Sequence, residues 1–127
     1  RVTAAAQDNA AIRVITSDFF AVDEFQYYLN AADVGVLPFK EVMTSGTAIQ
    51  ALGFGLPLVL PQHGCMNDLI DETMGVLYDP NHTGALAAAM SQVREMDLQA
   101  ARRAAKARAR QLDWNEIGDR IAELYRG

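Results

Sequence analysis

The chain has 127 residues, 50% of them hydrophobic and 21% charged, which fits one soluble globular domain and lies near the lower limit for a complete enzyme. A formal net charge of -5 argues against a nucleic-acid binder, because backbone recognition needs a basic surface that displaces counterions. The single cysteine, Cys65, excludes an intrachain disulfide and points to a reducing compartment, the cytoplasm; no apolar run nears the roughly 20 residues that span a bilayer, and RVTAAAQDNA lacks the apolar core of a secretion signal.

In chain order, AAIRVIT (10–16) follows an Asp8-Asn9 turn signal and reads as a buried β-branched strand. AVDEFQYYLNAAD (21–33) carries Val22, Phe25, Tyr28, Leu29 and Ala32 at three-and-four spacing, with Asp23 and Glu24 in the first turn opposing the positive end of the dipole, and predicts an amphipathic helix. VGVLPF (34–39) and PLVLP (57–61) are continuous apolar runs, the pattern of strands buried on both faces. Between them a helix is expected from Ser45 to Phe54, closed by Gly53 and Gly55. After Gln62-His63-Gly64, a helix over Met66 to Asp71 leads to the strand GVLYD (75–79). Asp79, Asn81 or Thr83 caps an alanine-rich helix, Asp97 caps the helix DLQAARRAAKARARQL, and Asp113 caps WNEIGDRIAELY. In that last helix Trp114, Ile117, Ile121, Leu124 and Tyr125 make one apolar stripe, with Trp114 assigned to packing. The basic stretch ARRAAKARAR (101–110) reads as a solvated helix face, with contact to an anionic membrane surface as the alternative.

No repeat, low-complexity linker or internal boundary interrupts the chain, so residues 1–127 form a single domain. Strands alternating with helices predict an α/β fold, a Rossmann-like parallel sheet flanked by helices. Ligands of such sheets sit at the carboxyl ends of the strands, which places KEVMTSGT on the ligand side.

Ser45-Gly46-Thr47 stands at the mouth of the helix that follows this loop. A helix start exposes backbone N–H groups with a partial positive charge, glycine permits close approach, and the two hydroxyls donate to phosphate oxygens. The other reading is an N-cap by Thr44 or Ser45 alone. The loop is neither a Walker A sequence nor a Gly-x-Gly-x-x-Gly dinucleotide loop, and the pattern by itself does not choose.

The order DEFQYYLNAADVGVLPF, a variable loop, SGTAIQALGFGLPLVLPQHG and then MGVLYDPN before an alanine-rich helix resembles the C-terminal, donor-binding half of GT-B glycosyltransferases, in particular the large retaining GT4-like family, glycosyl transferases group 1. AADVGVLP and QALGFGLPLVLP look like that family's aaADv.vlPs and EAmacGtPVva, in family order and over nearly the whole chain. The resemblance implies transfer of a sugar, with retention of configuration, from a UDP- or GDP-linked donor to a glycan or glycoconjugate acceptor, as in polysaccharide biosynthesis. It implies donor-diphosphate binding by Ser45, Gly46 and Thr47 and no obligatory metal or cofactor; the cytoplasmic placement read from the lone cysteine becomes the membrane face if the basic helix makes contact. The partner it implies is an N-terminal GT-B domain, so the chain reads as a partial, N-terminally truncated domain that is inactive in isolation, and the catalytic residues remain unassigned.

Family members commonly carry two glutamates at fixed separation, the second bound to the nucleotide ribose. The matching positions are Val42 and Gln50, with Glu41 one residue out of register, so Gln50 and Glu41 are the ribose-binding candidates. Gln50 offers an oxygen acceptor without the charge-assisted strength of a carboxylate. Phe39 and Lys40, after the first strand, and His63, Gly64 and Asp68, after the second, are assigned to the donor cleft. His63, Cys65 and Asp68 are too few for structural zinc, and His63 and Cys65 lack an identifiable third group for nucleophilic catalysis. The altered glutamates keep a non-catalytic nucleotide-binding or interaction module as an alternative, and a sugar-nucleotide epimerase is the other. The apolar stripe of the last helix docks on its own domain or on a second copy, forming a homodimer.

Overall fold

The strand over Leu58–Pro61 (β2) is buried at every residue, and the rest of the architecture follows from covering both of its faces. In the computed structural model, which describes residues 2–7, 9–16, 21–40 and 45–127, β2 lies between Gly35–Val36 (β1) and Gly75–Tyr78 (β3) in a three-stranded parallel sheet. Gly35 pairs with Leu58 and Val36 with Val59; on the other side the register runs from Leu58 opposite Gly75 to Pro61 opposite Tyr78. Parallel strands need crossovers, and the helices Gly46–Gly53 (α3) and Met66–Leu69 (α4) lie in the two connections.

Successive side chains of β2 point to opposite faces, and the core divides accordingly. Leu58 and Leu60 join Ala48, Ala51 and Leu52 of α3, together with Ala105 of the helix Leu98–Gln111 (α6). Val59 joins Val76 and Tyr78 on the opposite side with Ala89 and Val93 of Ala85–Arg94 (α5). Helices on both faces of a parallel sheet make this the α/β, Rossmann-like arrangement expected. Val22–Ala31 (α2) lays Leu29 against the first cluster, while Tyr28 is exposed.

Several expectations change. Residues 10–16 form no strand: Ile12, Val14 and Ile15 are exposed, and Ile12 N closes only a local turn to Asn9 O. β-branched residues favour extended backbone, but a strand also needs a neighbour to complete its ladder. A short helix, Val2–Gln7 (α1), precedes this run where the sequence suggested none. α4 ends at Leu69, because Ile70 is extended and Asp71 turns the chain by accepting from Thr73 N at 2.9 Å. The N-cap of α5 is Gly84, in the left-handed region at φ 86°; Asp79 instead accepts from Asn81 N in the turn before it. Asp97 and Asp113 cap α6 and the last helix, Trp114–Arg126 (α7), as expected. On α7 the apolar stripe is largely uncovered, with Leu124 82% and Tyr125 89% exposed; the Trp114 side chain lies outside the described part. Among the described residues no helix is long and apolar enough to cross a membrane.

Candidate functional site at the amino end of helix α3

Because the strands are parallel, β1 and β2 deliver their following loops, residues 37–40 and 62–65, to one side of the sheet, and α3 starts its return on that side. Ser45 precedes α3 with extended backbone, and its Oγ accepts from Ala48 N at 3.1 Å. The hydroxyl is therefore a helix cap. Capping uses an oxygen lone pair and leaves the O–H as a donor, while the Gly46 and Thr47 amides precede the intrahelical ladder. Cap and anion site are thus compatible in one residue.

Gly46 is exposed, and an added Cβ there would meet nothing within 4 Å. Its φ is not positive either, so neither packing nor backbone conformation requires glycine. Thr47 is exposed, and Gln50 lies exposed one turn beyond Gly46, while Ala48, Ala51 and Leu52 take the buried side of α3. Glu41 and Val42 lie outside the described residues, as does Thr44.

Phe39 is half-buried and packs against the core, so its ring supports the fold beneath this end of the sheet; Lys40 is exposed. His63 is half-buried and shapes the turn through its backbone, donating from N to Pro61 O at 2.9 Å and accepting at O from Met66 N at 3.0 Å. Gly64 occupies the left-handed region at φ 51°, a conformation that makes glycine functional in the loop without any ligand. Asp68 is exposed on α4.

Ser45 and Ile49 line a mainly apolar, open cavity of about 210 Å³ together with Cys65, Met66 and Asp68, and Arg108 and Leu112 border it too. The structure thereby brings Ser45 and Asp68 together. Gly46, Thr47 and Gln50 face solvent outside it, and Phe39, Lys40, His63 and Gly64 do not line it. A larger hollow of about 370 Å³ opens between α4 and α6, but of the expected site residues only Asp68 borders it. Among the described residues no group of three His, Cys, Asp or Glu side chains could hold a metal ion.

The sequence missed Arg108. Within the basic stretch it looked solvated, yet its Nε donates to Leu69 O at 3.1 Å, and Nη2 donates to Asp68 O. Arg102 also turns inward, donating to Ala32 O at 2.7 Å. The available signal was spacing: Ala101, Ala105, Arg108 and Leu112 recur at the four-three-four interval of an inward helix face.

Beyond α4, the Asp71 carboxyl is held below its ordinary 3.8 chiefly by hydrogen bonds from the Thr73 hydroxyl and amide, with Arg108 adding a smaller attraction. Such a depressed carboxylate contributes stability above 3.8 that is lost as pH falls through the folded-state value. Thr73→Val is expected to raise the Asp71 pKa toward ordinary, read by NMR titration of its carboxyl carbon. The stability change should be under about 1 kcal/mol, because the group is solvated.

Residues 3–95 match the family described as glycosyl transferases group 1. Among solved structures, sucrose-phosphate synthase from Thermosynechococcus elongatus superposes with a TM-score of 0.77 at 26% identity over 99% of this chain. The chain spans 33% of that protein's length. No curated protein sequence matches it.

Proposed function

The chain belongs to glycosyl transferases group 1, and on that premise we propose that it binds the diphosphate of a UDP- or GDP-linked sugar at the amino end of α3 for retaining transfer to a glycan or glycoconjugate acceptor. The observation that carries the proposal is Gly46, an exposed glycine at a helix start that neither packing nor conformation explains, beside a capping Ser45. A phosphate seated there would receive the Gly46 and Thr47 amides and the Thr47 hydroxyl. The same donors would stabilise the charge that grows on the departing nucleotide. In this reading Gln50, on the outward face of α3, meets the ribose through its amide oxygen, with Glu41 as the alternative. An N-terminal GT-B domain would complete the cleft and hold the acceptor, and the protein works in the cytoplasm or at its membrane face.

The test is calorimetric titration of the full-length protein with UDP, GDP and ADP, together with an assay of sugar transfer. Gly46→Ala is expected to leave stability unchanged or raise it by up to about 1 kcal/mol, since alanine is the better helix former. The same methyl group should lower nucleotide-diphosphate affinity about tenfold by holding the phosphate off the backbone. Unchanged affinity would place the phosphate elsewhere. Binding without transfer would instead favour the non-catalytic module, for which Gln50 in place of a glutamate is the specific argument.

A further inference from the structure

α4 is only four residues long and ends with Asp68 and Leu69, whose carbonyls find no partners within so short a helix. Both are taken by one side chain from far along the chain, Arg108, through Nη2 and Nε, while Nη1 donates to Gln111 Oε1 at 3.0 Å. Gln111 lies three residues further along α6, so the guanidinium plane is anchored to the helix that also packs against α3. One fork thus ties together the two sides of the cavity beside Ser45: α6 supports α3, and α4 carries Cys65 and Met66 at its start.

We propose that Arg108 is a positioning residue for the donor site, fixing the distance between the Ser45 end of α3 and the Cys65-Met66 wall by clamping the last carbonyls of α4. The inference rests on the donor reading above, and it extends that reading to a residue outside the phosphate loop. Lysine cannot substitute, because an ammonium is a point charge and lacks the planar fork that reaches two carbonyls in fixed geometry.

The experiment compares wild-type, Arg108→Ala and Arg108→Lys full-length protein in two measurements, with thermal unfolding recorded to establish that each variant folds. The first is the alkylation rate of Cys65, an exposed free thiol on the wall that α4 carries, followed by mass spectrometry of its peptide. The second is affinity for whichever of UDP and GDP the wild type binds. Both variants are expected to alkylate faster and to bind the nucleotide about tenfold more weakly, a loss of about 1.4 kcal/mol of binding free energy. Full rescue by Arg108→Lys would overturn the inference, because charge alone would then suffice. Wild-type affinity in Arg108→Ala would overturn it as well, and would leave the donor reading intact. Failure of the wild type to bind either nucleotide would remove the donor reading and the positioning role with it, while the alkylation rates would still report whether the clamp holds α4.

Discussion

Gly75→Ala is expected to destabilise the protein by about 3 kcal/mol and lower Tm by roughly 10 °C, the upper part of the range for overpacking a core. Gly75 begins β3 opposite Leu58, and a Cβ built there would stand 2.2 Å from Leu58 O and 2.8 Å from Ile70 Cδ1. The nearer atom is backbone carbonyl in the central strand, so no side-chain rotation relieves the clash. Either β3 leaves the sheet or β2 shifts, and β2 supplies residues to both halves of the core. The control is Gly53→Ala at the end of α3, where a Cβ would meet nothing within 4 Å and stability should change little. Thermal unfolding of both variants checks the pair; equal Tm values would show that the β2–β3 spacing is not set by the missing side chain.

Much of this sheet was legible because local pattern and tertiary burial agree. PLVLP is apolar without alternation, which only a strand covered on both faces requires, and β2 is buried throughout. Ser45 was legible as the start of α3 because a hydroxyl before an apolar helical run satisfies an amide that the helix cannot. The run AAIRVIT misled for the complementary reason. Its residues favour extended backbone, but strand formation depends on a partner that sequence windows do not contain. The α5 cap misled because three good capping side chains crowd the turn, while the left-handed residue Gly84 takes the position next to the helix.

The site was legible to a different depth at each residue. The likeness to group 1 glycosyltransferases singled out Ser45-Gly46-Thr47 as the candidate phosphate loop, and geometry then separated them: Ser45 is buried and capping, whereas Gly46 and Thr47 are exposed. Phe39 has a structural use besides any contact with a ligand, since it is half-buried and packs against the core. Arg108 was hidden because a charge inside a basic, alanine-rich stretch looks solvated until the carbonyls that face it are known.

The seat of α3 gives the second large effect. Ala105 is fully buried on α6, in one cluster with Ala48, Ala51 and Leu52 of α3, and the chain leaves α3 through Gly55 at φ 76°. A Cβ on Gly55 would reach within 3.3 Å of Arg102 O, so the turn after α3 also lies hard against α6. Small residues on both elements let the helices approach closely, and Ala105→Leu inserts three carbons where the core has no room. The expected cost is about 1–3 kcal/mol in urea unfolding. Because α3 has the sheet on its other side, relief comes from pushing α6 outward or from tilting α3, and the tilt moves Ser45 and Gly46 relative to the strand ends. Nucleotide affinity should therefore fall along with stability. Ala107→Leu on the exposed side of the same helix provides the comparison, since leucine and alanine have similar helix propensity and the hollow beside Ala107 has space. Equal stability of the two variants would mean that the α3–α6 contact can yield, and that the proposed phosphate loop does not depend on it for its placement.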